Sequence, residues 1–545
     1  MPEAQKDIHF PKAGLDNGCP FSRQTNRPVG PDNEYARTSR EAVNVRAYDF
    51  SLLRLRGGSR PGTIKYLPTQ PAGVTWVVQE LNSIVIVGGD VSQTSQSGRA
   101  VVLVAVSQGQ VFTAQPGATA WTPAVNNTGR AQPLNYSGIM FSAANSQVLY
   151  FADGVNYTKY IPLTNSLENW VAGTQDLDGN AITSVLPVDR AGNTPRLICT
   201  WRGRTVLSGL TFDSQNWFMS AVGDPNNFDY SPTSQTATQA VAGNNSPLGL
   251  VGDTIMSLCP YNDDTLIFFG SNSIYILRGD PLAGGQLDRV SDIVGGTWGI
   301  CWTKDPAGTV YFCSNRMGVY SMVPGQQPQR ISGAIESLLL NINTGNNSIR
   351  LQWDDRLQGF HLFVTPLDAQ SASTHFFWEQ RTQGWWTDRF TSTGHDPLCC
   401  LIYDGNTPND RVPLLGCWDG YVRAINPTAT TDDGVPINSY VVIGPFITKD
   451  FDEIMMREIQ GILGMHSGDV TWEIFAGNTA EEALDLPAVC SGTFSAGVGF
   501  TESVRVAARA IYLKLSSSSA WQMETIRTML ATQGKVRQRG KGQGH

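Results

Sequence analysis

Apolar residues along this chain come in short runs broken by Gly, Asp and Asn, and from about residue 74 the runs recur as a unit. Each unit is a hydrophobic strand, a small polar turn, and a second strand carrying an aromatic or another hydrophobic residue. Three copies are loose: Ser83-Ile84-Val85-Ile86-Val87 before Gly88-Gly89-Asp90; Val148-Leu149-Tyr150-Phe151 with Asp153-Gly154, then Tyr157 and Tyr160; and Thr205-Val206-Leu207-Ser208 with Trp217 and Phe218 beyond. Two are tight hairpins. Thr265 to Gly270 leads to Ile274-Tyr275-Ile276-Leu277, and Val310-Tyr311-Phe312-Cys313 leads through Asn315 and Gly318 to Val319-Tyr320-Ser321-Met322. Gly359 to Val364, followed by Trp378 and Trp385-Trp386, and Leu414 to Cys417, followed by Asp419-Gly420-Tyr421-Val422, complete the series.

The copies number roughly seven and lie about 45–65 residues apart, the period of a propeller blade built from four short strands. A lone blade cannot bury both faces, so such units stack radially around a channel. The pattern predicts an all-β chain whose residues 46–430 form a β-propeller of about seven blades, with six or eight also compatible and a large sandwich as the other architecture. After Thr431 the rhythm changes. Pro436 to Phe446 alternates, Val470, Trp472 and Ile474 share one face, and Ile511, Leu513 and Leu515 share the face expected to oppose it. Residues 431–535 therefore read as a C-terminal β-sandwich. Residues 1–45, rich in Pro, Gly, Asn and Arg, read as an extended N-terminal arm that orders against a neighbour, and 536–545, with Arg537, Arg539 and Lys541, as a basic flexible tail.

Composition agrees with strands and turns: 55 glycines, 30 prolines, 10% aromatic and only 16% charged residues. The net charge of −8 argues against a protein that grips phosphates, which needs a basic surface, but suits one that lets DNA slide past. The nine cysteines (Cys19, Cys199, Cys259, Cys301, Cys313, Cys399, Cys400, Cys417, Cys490) are scattered, mostly in apolar runs, and read as free thiols in a reducing cytoplasm. Met1 to Phe10 has no apolar signal core, and no stretch approaches the roughly 18 apolar residues of a membrane span, so a soluble chain without a cleaved signal is expected.

Motifs for chemistry are absent. There is no phosphate-binding loop, no dinucleotide fingerprint and no His-Glu-x-x-His pair, and the six histidines (His9, His361, His375, His395, His466, His545) are far apart in sequence. The nearest run to a sialidase Asp box, Ser291 to Trp298, has Asp292 one position early, which turns the carboxylate to the other strand face. Asp263-Asp264, Asp354-Asp355 and Asp432-Asp433 sit at expected turns, where aspartate bonds its own backbone. The run His375-Phe376-Phe377-Trp378 to Trp385-Trp386 has two readings, a sugar-stacking platform or filling between blades. No catalytic, cofactor or metal residues are assigned, and the chain is not expected to be an enzyme. The densest basic segment, Arg54-Leu55-Arg56-Gly57-Gly58-Ser59-Arg60-Pro61-Gly62, offers Arg54, Arg56 and Arg60 as contacts to a neighbouring subunit, with a solvated loop as the other reading.

Several segments, in order along most of the chain, resemble the tail nozzle (tail tubular, or packaged-DNA stabilisation) proteins of short-tailed bacteriophages. They are Asn44 to Asp49 running into Leu55 to Gly62; Ser220 to Phe228 with Gly223-Asp224-Pro225-Asn226-Asn227-Phe228; Asp264 to Phe269 with Ser273-Ile274-Tyr275; Gly384-Trp385-Trp386; and Trp521 to Ile526. The resemblance implies a structural virion protein assembled in the host cytoplasm. It implies a ring, six copies, below the portal and adaptor, which meets tail fibre or tail-tip proteins, retains the packaged genome and conducts double-stranded DNA during ejection. Many nozzle proteins are longer, and large inserted domains are not evident here. An acidic lumen that repels the duplex is the matching expectation from the charge. The rival class is a tail propeller that binds or cleaves host glycans.

Overall fold

The computed structural model describes residues 4–29, 34–49, 52–73, 76–87, 99–126, 134–135, 139–233, 235–368, 373–407, 410–448 and 452–533. Gly88 to Asp90 and the basic tail with Arg537, Arg539 and Lys541 lie outside them.

Each hydrophobic hairpin of the sequence pattern seeds its own antiparallel sheet, and the sheets follow one another around a ring. Blades 1 to 5 are separate four-stranded sheets running from Val78–Val87 to Gln329–Arg330, each with strands in chain order. Blade 6, from Asn347–Asp354 to Gly384–Asp388, forms the first four strands of a nine-stranded sheet. Blade 7 has Pro397–Tyr403, Val412–Cys417 and Val422–Asn426, and takes its fourth strand from far upstream, Gly62–Lys65, which pairs antiparallel with Val422–Asn426. The chain is an all-β, seven-bladed propeller, and the seven copies of the sequence unit fall one to a blade.

The inner strands of blades 7 and 1 meet and close the ring: the Cys399 thiol donates to the Val78 carbonyl and the Tyr403 hydroxyl to that of Val101. Apolar clusters then fill each gap between blades. Phe269 of blade 4 packs on Phe312 of blade 5 with centroids 4.8 Å apart, and Tyr311 of blade 5 packs on Trp353 of blade 6. Trp385 and Trp386 are both 0% exposed, so of their two sequence readings the structure takes the interior one.

The sandwich has two sheets. One carries Ser439–Phe446, Ala510–Ser517, Val470–Gly477 and Cys490–Phe494; the other Ala4–Ile8, Met523–Gln533, Glu453–Leu463 and Glu502–Ala508. The strands holding Trp472 and Leu513, expected to face each other, are neighbours in one sheet, with Trp472 paired to Leu515 and Ile474 to Leu513. Alternation alone fixes which face of a strand is apolar, and two strands side by side satisfy it as well as two opposed ones. The opposing layer comes from Ile454, Met456, Ile459, Met523 and Ile526, all buried.

The described residues of the N-terminal segment, 4–29 and 34–48, pack against their own chain. Ala4–Ile8 is an edge strand of the sandwich, Phe10 is buried against Trp386 and Trp521, and Ala42–Val43 bridges blade 6 to the sandwich by pairing with Thr387 and with Tyr440 and Val441. One apolar cluster accordingly runs from Tyr311 and Trp353 through Phe10, Leu15 and Val45 to Ile443, Trp472 and Leu513. Propeller and sandwich share a core.

Candidate functional site: the closure seam and its cavities

The basic segment singled out in the sequence lies where the ring closes, and its arginines point inward. Leu55–Ser59 pairs with Val45–Tyr48, and two residues later the chain becomes the closing strand of blade 7. Arg60, 4% exposed, donates Nη1 and Nη2 to the two carboxylate oxygens of Asp432 at 3.0 and 2.6 Å and Nε to Asn44 Oδ1 at 2.9 Å. Such two-pronged pairing matches the planar guanidinium to a carboxylate. Arg56 donates Nε to Asp49 at 2.9 Å, Nη2 to Gln522 at 2.9 Å, and Nη1 to Glu524. Of the three arginines offered as subunit contacts, Arg60 is consumed inside the chain, Arg56 is tied to the sandwich, and Arg54 alone is exposed. The inward course of Arg56 and Arg60 has a physical cause. Gly57, at φ 84°, lets the backbone pass beneath the Phe10 ring, and a Cβ at Gly62 would overlap the Thr431 carbonyl, so the glycines bring the segment inward and leave the guanidiniums in protein.

A second buried staple lies beside the first. Arg46 grips Asp388 at 2.7 and 2.6 Å under the Phe377 ring, with His361 4.0 Å from the same carboxylate. Burial works against the ionised Asp388, but Arg46, Arg60 and His361 outweigh it and hold the carboxyl below its ordinary value. The paired aspartates are spent similarly. Asp433 binds Arg423 and Lys65, Asp355 pairs with Arg411, and Asp354 accepts from the backbone N–H of Arg356 and Leu357. Asp292 is exposed and pairs with Arg289 at 3.3 Å.

Two cavities flank this framework. A cavity of about 780 Å³ lies between Trp302, Trp353, Leu401, Ser142 and Glu80, with Arg411 among its lining residues. Glu80 accepts from the Ser142 amide and hydroxyl at 3.2 and 3.1 Å and sits 3.6 Å from Arg350, so blades 1, 2 and 6 meet through it. Burial pushes its carboxyl up to about 7 against the pull of Arg350. A groove of about 680 Å³ runs between blade 6 and residues 15–43.

Folding also brings Ser373, His375 and Asp396 together near that groove. His375 Nδ1 accepts the Val364 N–H at 3.2 Å, which puts the ring proton on Nε2, and Nε2 faces both Asp396 Oδ1 and Ser373 Oγ at 3.1 Å. An activated serine needs its base nitrogen free while the carboxylate holds the other one. Here both partners crowd one nitrogen, so the set is a brace from His375 to the Asp396 turn.

No family model matches the chain, and no curated protein matches it. Solved structures similar to it include YCF48 from Cyanidioschyzon merolae, at 12% identity and TM-score 0.38 over 68% of this chain and 99% of that one. A structure of YCF48 bound to D1 peptide has the same coverage, with 10% identity and TM-score 0.38. The extracellular domain of the putative one-component system BT4673 from B. thetaiotaomicron matches over 82% of this chain and 55% of that one, at 11% identity and TM-score 0.42.

The residues that sequence reasoning passed over are Glu80, Arg350, Arg46 and Asp388. Arg350, within Ile349-Arg350-Leu351, and Arg46, within Val45-Arg46-Ala47, are lone charges in apolar strand runs, and a charge at an interior position of a strand demands a buried partner. That signal was available for the two arginines; Asp388, next to Arg389, and Glu80, among Gln79, Asn82 and Ser83, carry none.

Proposed function

We propose that the chain is a structural subunit of a short-tailed phage tail, a nozzle-ring component that continues the DNA path below the portal and adaptor. One observation carries the reading. Two segments that bear the likeness to nozzle proteins, Leu55 to Gly62 and Trp521 to Ile526, are more than 450 residues apart in sequence, yet they form a single contact. Gly58 bridges to Gln522, the Ser59 Oγ accepts the Trp521 N–H at 3.1 Å, and Arg56 reaches Gln522 and Glu524. Segments that resemble one family and brace one seam make a coherent signature, where scattered likenesses would not.

The remaining observations are compatible. In this reading the DNA path is built between copies of the chain, and the cavity of about 780 Å³ within one propeller is of small-ligand size. A net charge of −8 is compatible with a ring wall to which phosphates do not adhere. A shared core and two buried staples give a stiff body, suited to bearing the pressure of a packaged genome. The platform version of the glycan reading loses its basis, because Trp385 and Trp386 are interior.

The test is imaging of purified particles together with removal of the gene. The expected result is a six-fold ring of this chain below the adaptor, and particles that lose their DNA when it is missing. Absence of the chain from purified virions by mass spectrometry, or its presence as isolated single copies on the particle surface, would overturn the proposal.

A further inference from the structure

We infer that the groove between blade 6 and residues 15–43 binds an uncharged oligosaccharide. Its volume of about 680 Å³ falls in the range of small-ligand sites, and it sits where propeller, sandwich and N-terminal segment meet, a usual location for such sites. Ile342 and Tyr440, both half-buried, present the apolar surface for the C–H face of a pyranose, with Val364 and Phe376 buried beneath them as support. Around this floor stand Asn341, Asn346, Glu41 and Arg389, all exposed. Their side chains make no hydrogen bond or ion pair among the described residues. Elsewhere along the seam nearly every guanidinium and carboxylate is committed, so four uncommitted planar groups around one apolar floor form a distinct set.

The chemistry of the set selects the ligand. An amide offers both donors and acceptors, a guanidinium only donors and a carboxylate only acceptors, and together they suit vicinal hydroxyls, which each donate and accept. Charge cancels, since Arg40 and Arg389 oppose Glu41 and Asp368, so the groove has no net field to attract phosphate or a cation. A peptide adding as a strand needs a free sheet edge. The edge beside the groove is taken, because Gly384–Asp388 pairs with Ala42–Val43 through Thr387 and Val43. The inference does not rest on the assembly reading, and neither result decides the other.

The experiment is saturation-transfer NMR and calorimetry on the full chain with maltotriose, cellotriose and chitotriose, and with sialyllactose and inorganic phosphate as charged comparisons. At least one neutral trisaccharide should bind saturably. Asn341→Ala and Arg389→Ala, exposed positions whose thermal melts should match the parent, should each weaken that binding at least tenfold. No binding of any neutral trisaccharide, binding unchanged in both variants, or tighter binding of sialyllactose or phosphate than of every neutral sugar would overturn the inference.

Discussion

Replacing Arg60 tests whether the seam is a structural lock, and the geometry predicts an asymmetric cost for its two partners. Arg60→Met leaves the Asp432 carboxylate, 0% exposed, with the Thr63 hydroxyl at 3.3 Å as its remaining hydrogen-bond partner. Breaking a buried pair from one side costs about 3–5 kcal/mol, because a charge is left without compensation. Asp432→Leu strands Arg60 less severely, since Asn44 Oδ1, the Pro61 and Arg389 carbonyls and Asp388 at 3.9 Å still receive it. That variant should cost about 1–3 kcal/mol, in the range of a lost charged hydrogen bond. The double variant should be milder than the sum of the two, since two apolar side chains of similar volume often replace a buried ion pair at little cost. Urea unfolding followed by tryptophan fluorescence gives all four corners of the cycle. Equal single costs, or an Arg60→Met cost below about 1 kcal/mol, would show that the pair is not isolated from water as described.

Glu80 supplies a pH dependence of definite sign. Its carboxyl is raised by burial to about 7 from 4.5, so the folded chain holds a proton that the unfolded chain has already released. The resulting stability is fully present below about pH 4.5 and is lost as pH rises through 7, on the order of 3 kcal/mol in all. Glu80→Gln should flatten the fall in urea midpoint between pH 5 and pH 8; an unchanged slope would refute the assignment, and Glu379, also raised to about 7 by burial, accounts for the slope that remains. Trp385→Ala should cost about 3–5 kcal/mol, because the ring is wholly buried and its Nε1 donates to the Ile331 carbonyl at 2.9 Å; a thermal melt within a degree of the parent would contradict that burial. Maleimide under native conditions should reach no thiols beyond Cys19, Cys400 and Cys490, since Cys199, Cys259, Cys301, Cys313, Cys399 and Cys417 are buried, and peptide mapping of labelled protein reads this directly.

The propeller was legible because a blade is local. The strand Thr265–Gly270, its turn and Ile274–Arg278 lie within fourteen residues, every residue of the first strand is buried, and hairpins of that kind recur at blade spacing. The closing strand was not legible. Gly62-Thr63-Ile64-Lys65 has no alternation to announce it, and its partner Val422–Asn426 lies some 360 residues downstream. Ala4–Ile8 escaped for the same reason: Gln5, Lys6 and Asp7 are exposed, as suits an edge strand, and Ile8 turns into the core. Residues 1–45 read as an arm from composition alone, and the described residues among them, 4–29 and 34–45, include Ile8, Phe10, Leu15 and Val45, which pack into the chain's own core.

The site shows where composition misleads about arginine. Three guanidiniums on a Gly-Pro backbone suggest a surface that seeks a partner, yet glycine also permits the close approach that buries such a segment, and nothing in Arg54 to Gly62 distinguishes the two outcomes. The distinguishing information sits elsewhere, in the Asp432-Asp433 pair and in Gln522 and Glu524, residues that read as turn and edge features when taken alone. Once joined, they explain why the N-terminal segment threads both units: residues 4–8 complete the sandwich, 42–43 join it to blade 6, and 62–65 close blade 7. A propeller closed by a strand that has already passed through the sandwich cannot open without disturbing the sandwich as well. The Arg60–Asp432 and Arg46–Asp388 staples lie on that same path, tying the segment before the closing strand to the turn after blade 7 and to the last strand of blade 6.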